Sequence, residues 1–217
     1  MSETLSFVLS MSIIFSVIIG IVRWRIIDPP YYPFIYNIVV VLLVEIINGT
    51  HKYSVATVQL LNVFSIIDFC LFAWLFHNWG LFNHSRNWFL TIIILSVSTW
   101  IYITFFLTGF GNINNPFLLL YSFALIFFSV TTFNKIVVQQ RINIFTNAKF
   151  WICMGIIIFY SFFMLTRATN LSTGLHFSRS FRHNLQQINN FSNVLVNLLY
   201  AVAVIWIPRK KNITTLL

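Results

Sequence analysis

The chain has 217 residues, of which 59% are hydrophobic and only 8% are charged. Soluble globular proteins carry about 25% charged residues, so this composition excludes a soluble enzyme, a disordered chain and an exposed nucleic-acid-binding module. Thirteen Lys and Arg stand against four acidic residues, for a net charge of +9. The basic residues lie in short loops between apolar runs, which is typical of a polytopic membrane protein rather than a nucleic-acid-binding protein.

Seven apolar runs are candidates for membrane helices, because about 20 mostly apolar residues cross a bilayer core. In chain order they are Leu5–Val22, Pro33–Asn48, Ser54–Phe76, Trp88–Phe110, Pro116–Phe133, Phe150–Thr166 and Ile188–Ile207. The seventh run is the least apolar, so six spans are the alternative, and the link Arg167–Gln187 is long enough for a surface helix. We predict a single all-α domain over residues 1–217, a polytopic membrane bundle of seven transmembrane helices.

The basic residues predict the orientation of the bundle, since cytoplasmic loops carry an excess of Lys and Arg. With seven spans, one side receives Arg23, Arg25, Arg86, Lys135, Arg141, Lys149, Arg209, Lys210 and Lys211. The other side receives Lys52, Arg167, Arg179 and Arg182. Because the side with nine basic residues is expected to be cytoplasmic, the N-terminus lies outside and the C-terminus inside. We expect the location to be a bacterial inner (cytoplasmic) membrane.

Two carboxylates lie inside apolar runs, where ionisable groups are costly and usually functional. Glu45 is near the outer end of its run and is able to reach the interface instead. Asp68 lies about 21 Å along its helix from Ser54, within the inner half of the bilayer core. It is protonated, accepts hydrogen bonds, or meets water or a ligand. From its depth we expect Asp68 to point into the bundle and to bond to Tyr200 or Ser96, or to water between them.

Asn190, Asn193, Asn197 and Tyr200 form a polar stripe along one side of the last run. Such a stripe must face protein or water, so it serves as interhelical hydrogen bonding or as a path for ligand or water. The predicted intramembrane polar site comprises Glu45, Asn62, Asp68, Ser96, Asn193, Asn197 and Tyr200.

Small residues recur at every fourth position in the first run, as Ser12, Ser16 and Gly20. This spacing lets helix backbones approach closely, either within the chain or across an oligomer interface. At the other end of the chain, Arg209, Lys210 and Lys211 directly follow the last run and are predicted to be cytoplasmic.

Motifs of enzymes and of cofactor sites are absent from the sequence. It contains no nucleophile elbow, no His-Glu-x-x-His and no phosphate-binding glycine loop. Cys70 and Cys153 lie in apolar runs, and no carboxylate or Cys completes a metal set with the histidines. We expect no enzymatic activity, no catalytic residue, no cofactor and no metal.

Several stretches resemble motifs of a bacterial family of uncharacterised seven-helix inner-membrane proteins. The stretch from Phe150 to Ser161 resembles an "FWI-x-x-G-I-L-I-Y-x-S" helix, and Leu43–Ile46 resembles an "L-x-E-I" helix end. Asn62–Phe69 resembles "N-x-F-x-I-I-E-F", and Asn193–Trp206 resembles an "N-x-x-x-N-x-x-Y…IW" ending. Asp68 stands where the family pattern has Glu. The resemblance covers most of the chain and implies the fold rather than a role. A weaker similarity, of size and class alone, is to the membrane accessory proteins of CRISPR type VI-B systems.

Three classes of function remain. The first is a receptor-like or regulatory membrane protein that couples a ligand or membrane signal to a cytoplasmic partner, which would dock on Asn134–Lys149 and Pro208–Leu217. The second is a defence-associated membrane accessory that oligomerises or perturbs the membrane. The third is a proton- or ion-coupled transporter or channel that uses Asp68. The expected partners are the lipid bilayer, a cytoplasmic protein and a second copy of the chain, with no direct contact to nucleic acid.

Overall fold

The computed structural model describes residues 9–50, 54–82, 85–139, 144–171 and 177–210. Within these ranges the fold is all-α, as the composition predicts. Its α-helices are α1 (Ile13–Arg23), α2 (Tyr32–Thr50), α3 (Val55–Asn78), α4 (Arg86–Tyr102), α5 (Asn115–Gln139), α6 (Ala148–Ala168) and α7 (Arg179–Trp206).

Side-chain caps define where three of the helices begin. Ser54 accepts a hydrogen bond from the backbone N–H of Thr57 at the start of α3, at 3.1 Å. Asn147 caps α6 in the same way through Lys149, at 2.9 Å. Ser178 caps α7 through the N–H of Phe181, at 3.2 Å. These contacts satisfy N–H groups that have no partner within the helix.

The boundaries of the last helix differ from the prediction. The cap at Ser178 starts α7 nine residues before Ile188, so its 28 residues form one continuous helix. Within the described part of the chain, residues 179–187 therefore belong to α7 rather than to a separate surface helix. At 1.5 Å per residue α7 is about 42 Å long, which exceeds a bilayer core of about 30 Å.

Among the described residues, six helices are long and apolar enough to cross a membrane, which indicates a multi-pass membrane protein. They are Pro29–Gly49, Val55–Asn78, Arg86–Thr108, Asn115–Val138, Ala148–Ala168 and Ser180–Trp206. The first predicted run began at Leu5, and its residues 5–8 lie outside the described ranges. The described helix α1 has 11 residues, about 16 Å, and is too short by itself to span a bilayer core.

The helices form a ring of six with one helix outside it. Around the ring, α1 contacts α2, α2 contacts α3, α3 contacts α5, α5 contacts α6, α6 contacts α7, and α7 returns to α1. The outer helix, α4, packs mainly against α3, and none of the residues from Arg86 to Tyr102 is buried. A turn of π-helix, Ile103–Thr108, extends α4 and ends at Gly109.

Two connections meet at the end of the bundle where α1 and α7 finish. The backbone N–H of Asp28 donates to the carbonyl of Pro208 at 3.1 Å, and the N–H of Lys210 donates to the carbonyl of Ile26 at 2.8 Å. An antiparallel bridge joins Ile27 to Arg209 between these bonds. The start of the predicted cytoplasmic tail is therefore fixed by its backbone, although the side chains of Arg209 and Lys210 are exposed. Lys211 lies outside the described residues.

Candidate functional site: a polar cavity inside the helix ring

The six ring helices surround a partly open cavity of about 530 Å³. Small-molecule sites in proteins occupy about 300–1,000 Å³, so the cavity has the size of a ligand pocket. It reaches Gly49 in the last turn of α2 and Arg167 in the last turn of α6. It therefore extends to the end of the bundle at which α2 and α6 finish and α3 and α7 begin.

Asp68 lies behind the cavity wall, next to Asn37 and Tyr160, and its inward orientation is confirmed because its side chain is only 2% exposed. The predicted partners are wrong. Asn37 on α2 donates from Nδ2 to Oδ1 of Asp68 at 2.6 Å, and the hydroxyl of Tyr160 on α6 donates to Oδ2. Asn37 and Tyr160 themselves line the cavity. Asp68 thus holds two donors in place at the boundary between the cavity and the core.

Ser96 does not belong to the site. It lies on α4, outside the ring, and is absent from the cavity wall. The depth of a residue along its helix does not reveal whether that helix is inside or outside the ring, which is why depth matching selected Ser96.

Tyr200 lines the cavity without bonding to Asp68, because packing determines its position. A Cβ atom built on Gly155 of α6 would lie 3.0 Å from Cδ1 of Tyr200 and closer still to Cε1. The ring of Phe34 meets Tyr200 edge-on at 5.1 Å between centroids. The glycine in the FWI-x-x-G stretch therefore has a structural reason: it gives room to an aromatic ring on α7.

The polar stripe on α7 divides between two roles. Asn197 donates from Nδ2 to Oγ of Ser12 at 2.9 Å and to the carbonyl of Ser10 at 3.4 Å. Its own carbonyl accepts from Oγ of Ser16 at 2.9 Å. Both Asn193 and Asn197 lie on the cavity wall, and Asn197 in addition joins α7 to the start of α1.

The small residues of α1 pack within the chain. Ser12 and Ser16 bond to Asn197 on α7, and Ser16 is fully buried. Gly20 faces α2, with its missing Cβ 3.5 Å from Ile35. These small side chains thus let α1 approach α7 and α2 closely within the same chain.

Asn62 connects α3 to the link between α4 and α5. It donates from Nδ2 to the carbonyl of Asn112 at 2.8 Å and accepts at Oδ1 from the N–H of Asn114 at 3.1 Å. Its backbone carbonyl accepts from the indole N–H of Trp100 at 2.9 Å. Its polar atoms are occupied by protein, so its role is to anchor this link and α4.

Two charged residues line the cavity, Glu45 on α2 and Arg167 on α6. Glu45 accepts a hydrogen bond from the side chain of Ser10. Arg167 was missed, because its place after the sixth apolar run predicted a residue in an outer loop. The guanidinium instead lies 4.7 Å from the centre of the Phe163 ring, one helical turn earlier. A cation four residues after an aromatic residue at a helix end is the signal that could have indicated it.

Three of the eight buried side-chain atoms that lack a hydrogen-bond partner among the described residues belong to the cavity wall. Among the described residues, buried atoms without a hydrogen-bond partner include Oδ1 of Asn48, Nε of Arg167 and Oδ1 of Asn189. All three residues line the cavity. Burying a polar group without a partner costs about 1–3 kcal/mol, so these atoms favour a bound polar ligand or water. In contrast, no three His, Cys, Asp or Glu side chains of the described residues come together as a metal site would require.

No protein-family model, curated protein or solved structure matches this chain. The resemblance in the sequence therefore stays a prediction, and the function has to be argued from the geometry of the cavity.

Proposed function

We propose that this chain is a receptor-like, multi-pass membrane protein that binds a small polar solute in the cavity of its helix ring and passes the bound state to a cytoplasmic partner. The observation that carries the proposal is the cavity itself. Its size is that of a ligand pocket, and its wall holds the unpartnered polar atoms of Asn48, Arg167 and Asn189.

The side from which the solute enters follows from the basic residues. The cavity reaches the end of the bundle at which α2 and α6 finish, and this end carries the smaller number of Lys and Arg. By the positive-inside rule, that end faces outward in a bacterial inner membrane. We infer seven spans, with an outside N-terminus and an inside C-terminus, as the distribution of the basic residues predicts.

A signal has a physical route from the cavity to the inside. Asn197, on the cavity wall, bonds to Ser12 of α1, and both α1 and α7 run to the opposite end. There Arg23 of α1 donates to the carbonyls of Val204, Ile205 and Ile207 in α7. A ligand that moves α7 relative to α1 would change this junction and the exposed basic residues beside it.

Proton-coupled transport is the second candidate, because Asp68 bonds to Asn37 and Tyr160 on the cavity wall. Against it, the following turns of α3 carry Leu75 and Phe76, which are fully buried and do not line the cavity. These side chains close the path between Asp68 and the far end of the bundle. The receptor proposal needs no such path, so it is preferred. The defence-associated alternative stays a prediction.

A pair of tryptophan substitutions tests the proposal. Asn193→Trp fills the cavity, whereas Leu195→Trp places the same bulk on a position of α7 that is 49% exposed. The purified proteins are heated with fractions of small molecules extracted from the cells that make them. We expect a fraction that raises the melting temperature of the wild type and of Leu195→Trp but not of Asn193→Trp. Equal responses of the two variants, or no response of the wild type, would refute solute binding in the cavity.

A further inference from the structure

The chemistry of the cavity wall narrows the class of solute. Glu45 and Arg167 are the only charged residues on the part of the wall that the structure describes. The structure gives no ion pair between them: Glu45 accepts from the side chain of Ser10, and Nε of Arg167 has no hydrogen-bond partner among the described residues. An anion and a cation are thus held apart on α2 and α6, two helices that are not neighbours in the ring.

The unpartnered polar atoms follow the same division: hydrogen-bond acceptors accompany Glu45, and a donor belongs to Arg167. Asn48 lies three residues after Glu45, one turn along α2, so both present acceptor oxygens to the cavity from one side of the helix. Asn189 adds an unpartnered acceptor from α7, whereas Nε of Arg167 is an unpartnered donor. Acceptors beside a carboxylate suit an ammonium group, and a guanidinium donor suits a carboxylate or phosphate.

The rest of the wall suits a compact molecule with an apolar part. Beside Arg167, α6 contributes Phe159 and Phe163, and α3 contributes Leu61 and Phe64. A volume of about 530 Å³ accommodates a free amino acid or a small head group.

We propose that the cavity binds a small zwitterion, with its ammonium group toward Glu45 and Asn48 and its carboxylate or phosphate toward Arg167. The proposal rests on the proposed function and names the chemical class of its solute. Two sources supply this chemistry, a free amino acid and the head group of an ethanolamine phospholipid.

The test is a matched series of probes on the wild-type protein in a neutral maltoside detergent. The probes are the twenty common L-amino acids and glycerophosphoethanolamine, each compared with the amine and with the acid that lack one of its two charges. We expect at least one zwitterion to raise the melting temperature, with each singly charged relative binding at least about tenfold more weakly, because a desolvated charge left unpaired costs several kcal/mol. A response to amino acids identifies the free solute, and a response only to glycerophosphoethanolamine identifies the lipid head group.

Two variants connect the response to the wall. Glu45→Gln and Arg167→Gln should each weaken zwitterion binding at least about tenfold, whereas Arg182→Gln, exposed on α7 at the same end, should leave it unchanged. If a variant fails to fold, the probe series on the wild-type protein still tests the inference.

The outcomes separate this inference from the proposed function. A singly charged or uncharged probe that binds as tightly as its zwitterion overturns the inference and leaves solute binding intact. No response to any zwitterion also overturns it, while the response to extracted molecules and its loss in Asn193→Trp still decide the proposed function.

Discussion

At the scale of single residues, Asp68 is the group whose environment is most specific. Its two oxygens accept from Nδ2 of Asn37 and from the hydroxyl of Tyr160, and all three side chains are buried. The carboxylate therefore satisfies two donors that would otherwise be buried without partners, on α2 and on α6. These hydrogen bonds join α2, α3 and α6 behind the cavity wall.

Two substitutions separate the hydrogen-bonding role of Asp68 from its charge. Asp68→Asn keeps an acceptor for Asn37, and its amide donates to the Tyr160 oxygen, so we expect a loss of stability below about 1 kcal/mol. Asp68→Ala leaves both donors unpartnered and should cost about 2–6 kcal/mol, at about 1–3 kcal/mol for each. Unfolding in mixed micelles, followed by tryptophan fluorescence, measures the difference. Equal stability of the two variants would contradict this role.

The same pair distinguishes the two candidate functions. In a receptor, Asp68→Asn keeps Asn37 and Tyr160 in place on the cavity wall, so the variant should bind the solute with nearly the wild-type affinity. In a proton-coupled transporter the amide of Asp68→Asn does not titrate and so neither accepts nor releases the transported proton. The variant should then fold but lose uptake driven by a pH gradient into proteoliposomes.

Two glycines provide a test of the close helix approach. Gly155→Ala would press its Cβ into the ring of Tyr200, and overpacking of this kind costs about 1–3 kcal/mol. Gly20→Ala is the matched control, because the nearest atom, on Ile35, is 3.5 Å away, at ordinary contact distance. We expect Gly20→Ala to be neutral or slightly stabilising, since Ala has the higher helix propensity. A melting temperature of Gly155→Ala equal to that of Gly20→Ala would refute the packing of α6 against α7 at Tyr200.

At the scale of helices, the junction of α1 with α7 depends on one side chain. Arg23 donates to carbonyls in the last turn of α7, where backbone carbonyls have no partner within the helix. The bond to Ile207 is 3.1 Å long. The side chain thus acts as a C-terminal cap supplied by another helix.

Arg23→Gln should therefore loosen the end of α7, whereas Arg25→Gln, at an exposed position two residues later, should not. The two variants remove the same charge from the same side of the membrane, so any shared effect on orientation cancels. We expect amide exchange in Ala203–Trp206 to become about tenfold faster or more in Arg23→Gln, for a loss of about 1.5–3 kcal/mol. Unchanged exchange in Arg23→Gln, or the same acceleration in Arg25→Gln, would show that the junction does not depend on Arg23.

Hydropathy predicted where each helix lies along the chain more accurately than which helices are adjacent in the bundle. The runs beginning at Pro33, Ser54, Pro116 and Phe150 start within two residues of α2, α3, α5 and α6. The start of α7 was missed because its first turns are polar and lie beyond the length that an apolar window detects. A cap at Ser178, followed by helix-compatible polar residues, was the local signal.

The candidate site was predicted in part. Glu45, Asn62, Asn193, Asn197 and Tyr200 line the cavity and Asp68 lies behind its wall, because polar residues in apolar helices have to face protein. The partners of Asp68 could not be predicted, since hydropathy does not encode which helices are adjacent, and Tyr160 lies 92 residues further along the chain.

At the scale of the whole molecule, the ring creates two unlike ends. One end contains the cavity with Glu45 and Arg167 on its wall, and the other is closed by the aromatic core around Phe76 and by the pairing of residues 26–28 with 208–210. A cavity that opens at one end of the ring suits the sensing of a solute from that side of the membrane. The central claim is therefore that the cavity opens to the outside only.

Labelling of single cysteines tests this claim most directly. The two native cysteines are first removed by Cys70→Ala and Cys153→Ala. Three single cysteines are then introduced: Asn193→Cys reports on the cavity, and Leu195→Cys reports on the exposed side of α7. Phe145→Cys reports on an exposed position between α5 and α6 at the opposite end. A membrane-impermeant maleimide is added to spheroplasts before and after permeabilisation. We predict that Asn193→Cys reacts in intact spheroplasts, that Phe145→Cys reacts only after permeabilisation, and that Leu195→Cys, facing lipid, reacts poorly in both. Labelling of Asn193→Cys only after permeabilisation, or not at all, would contradict an outward-facing solute cavity.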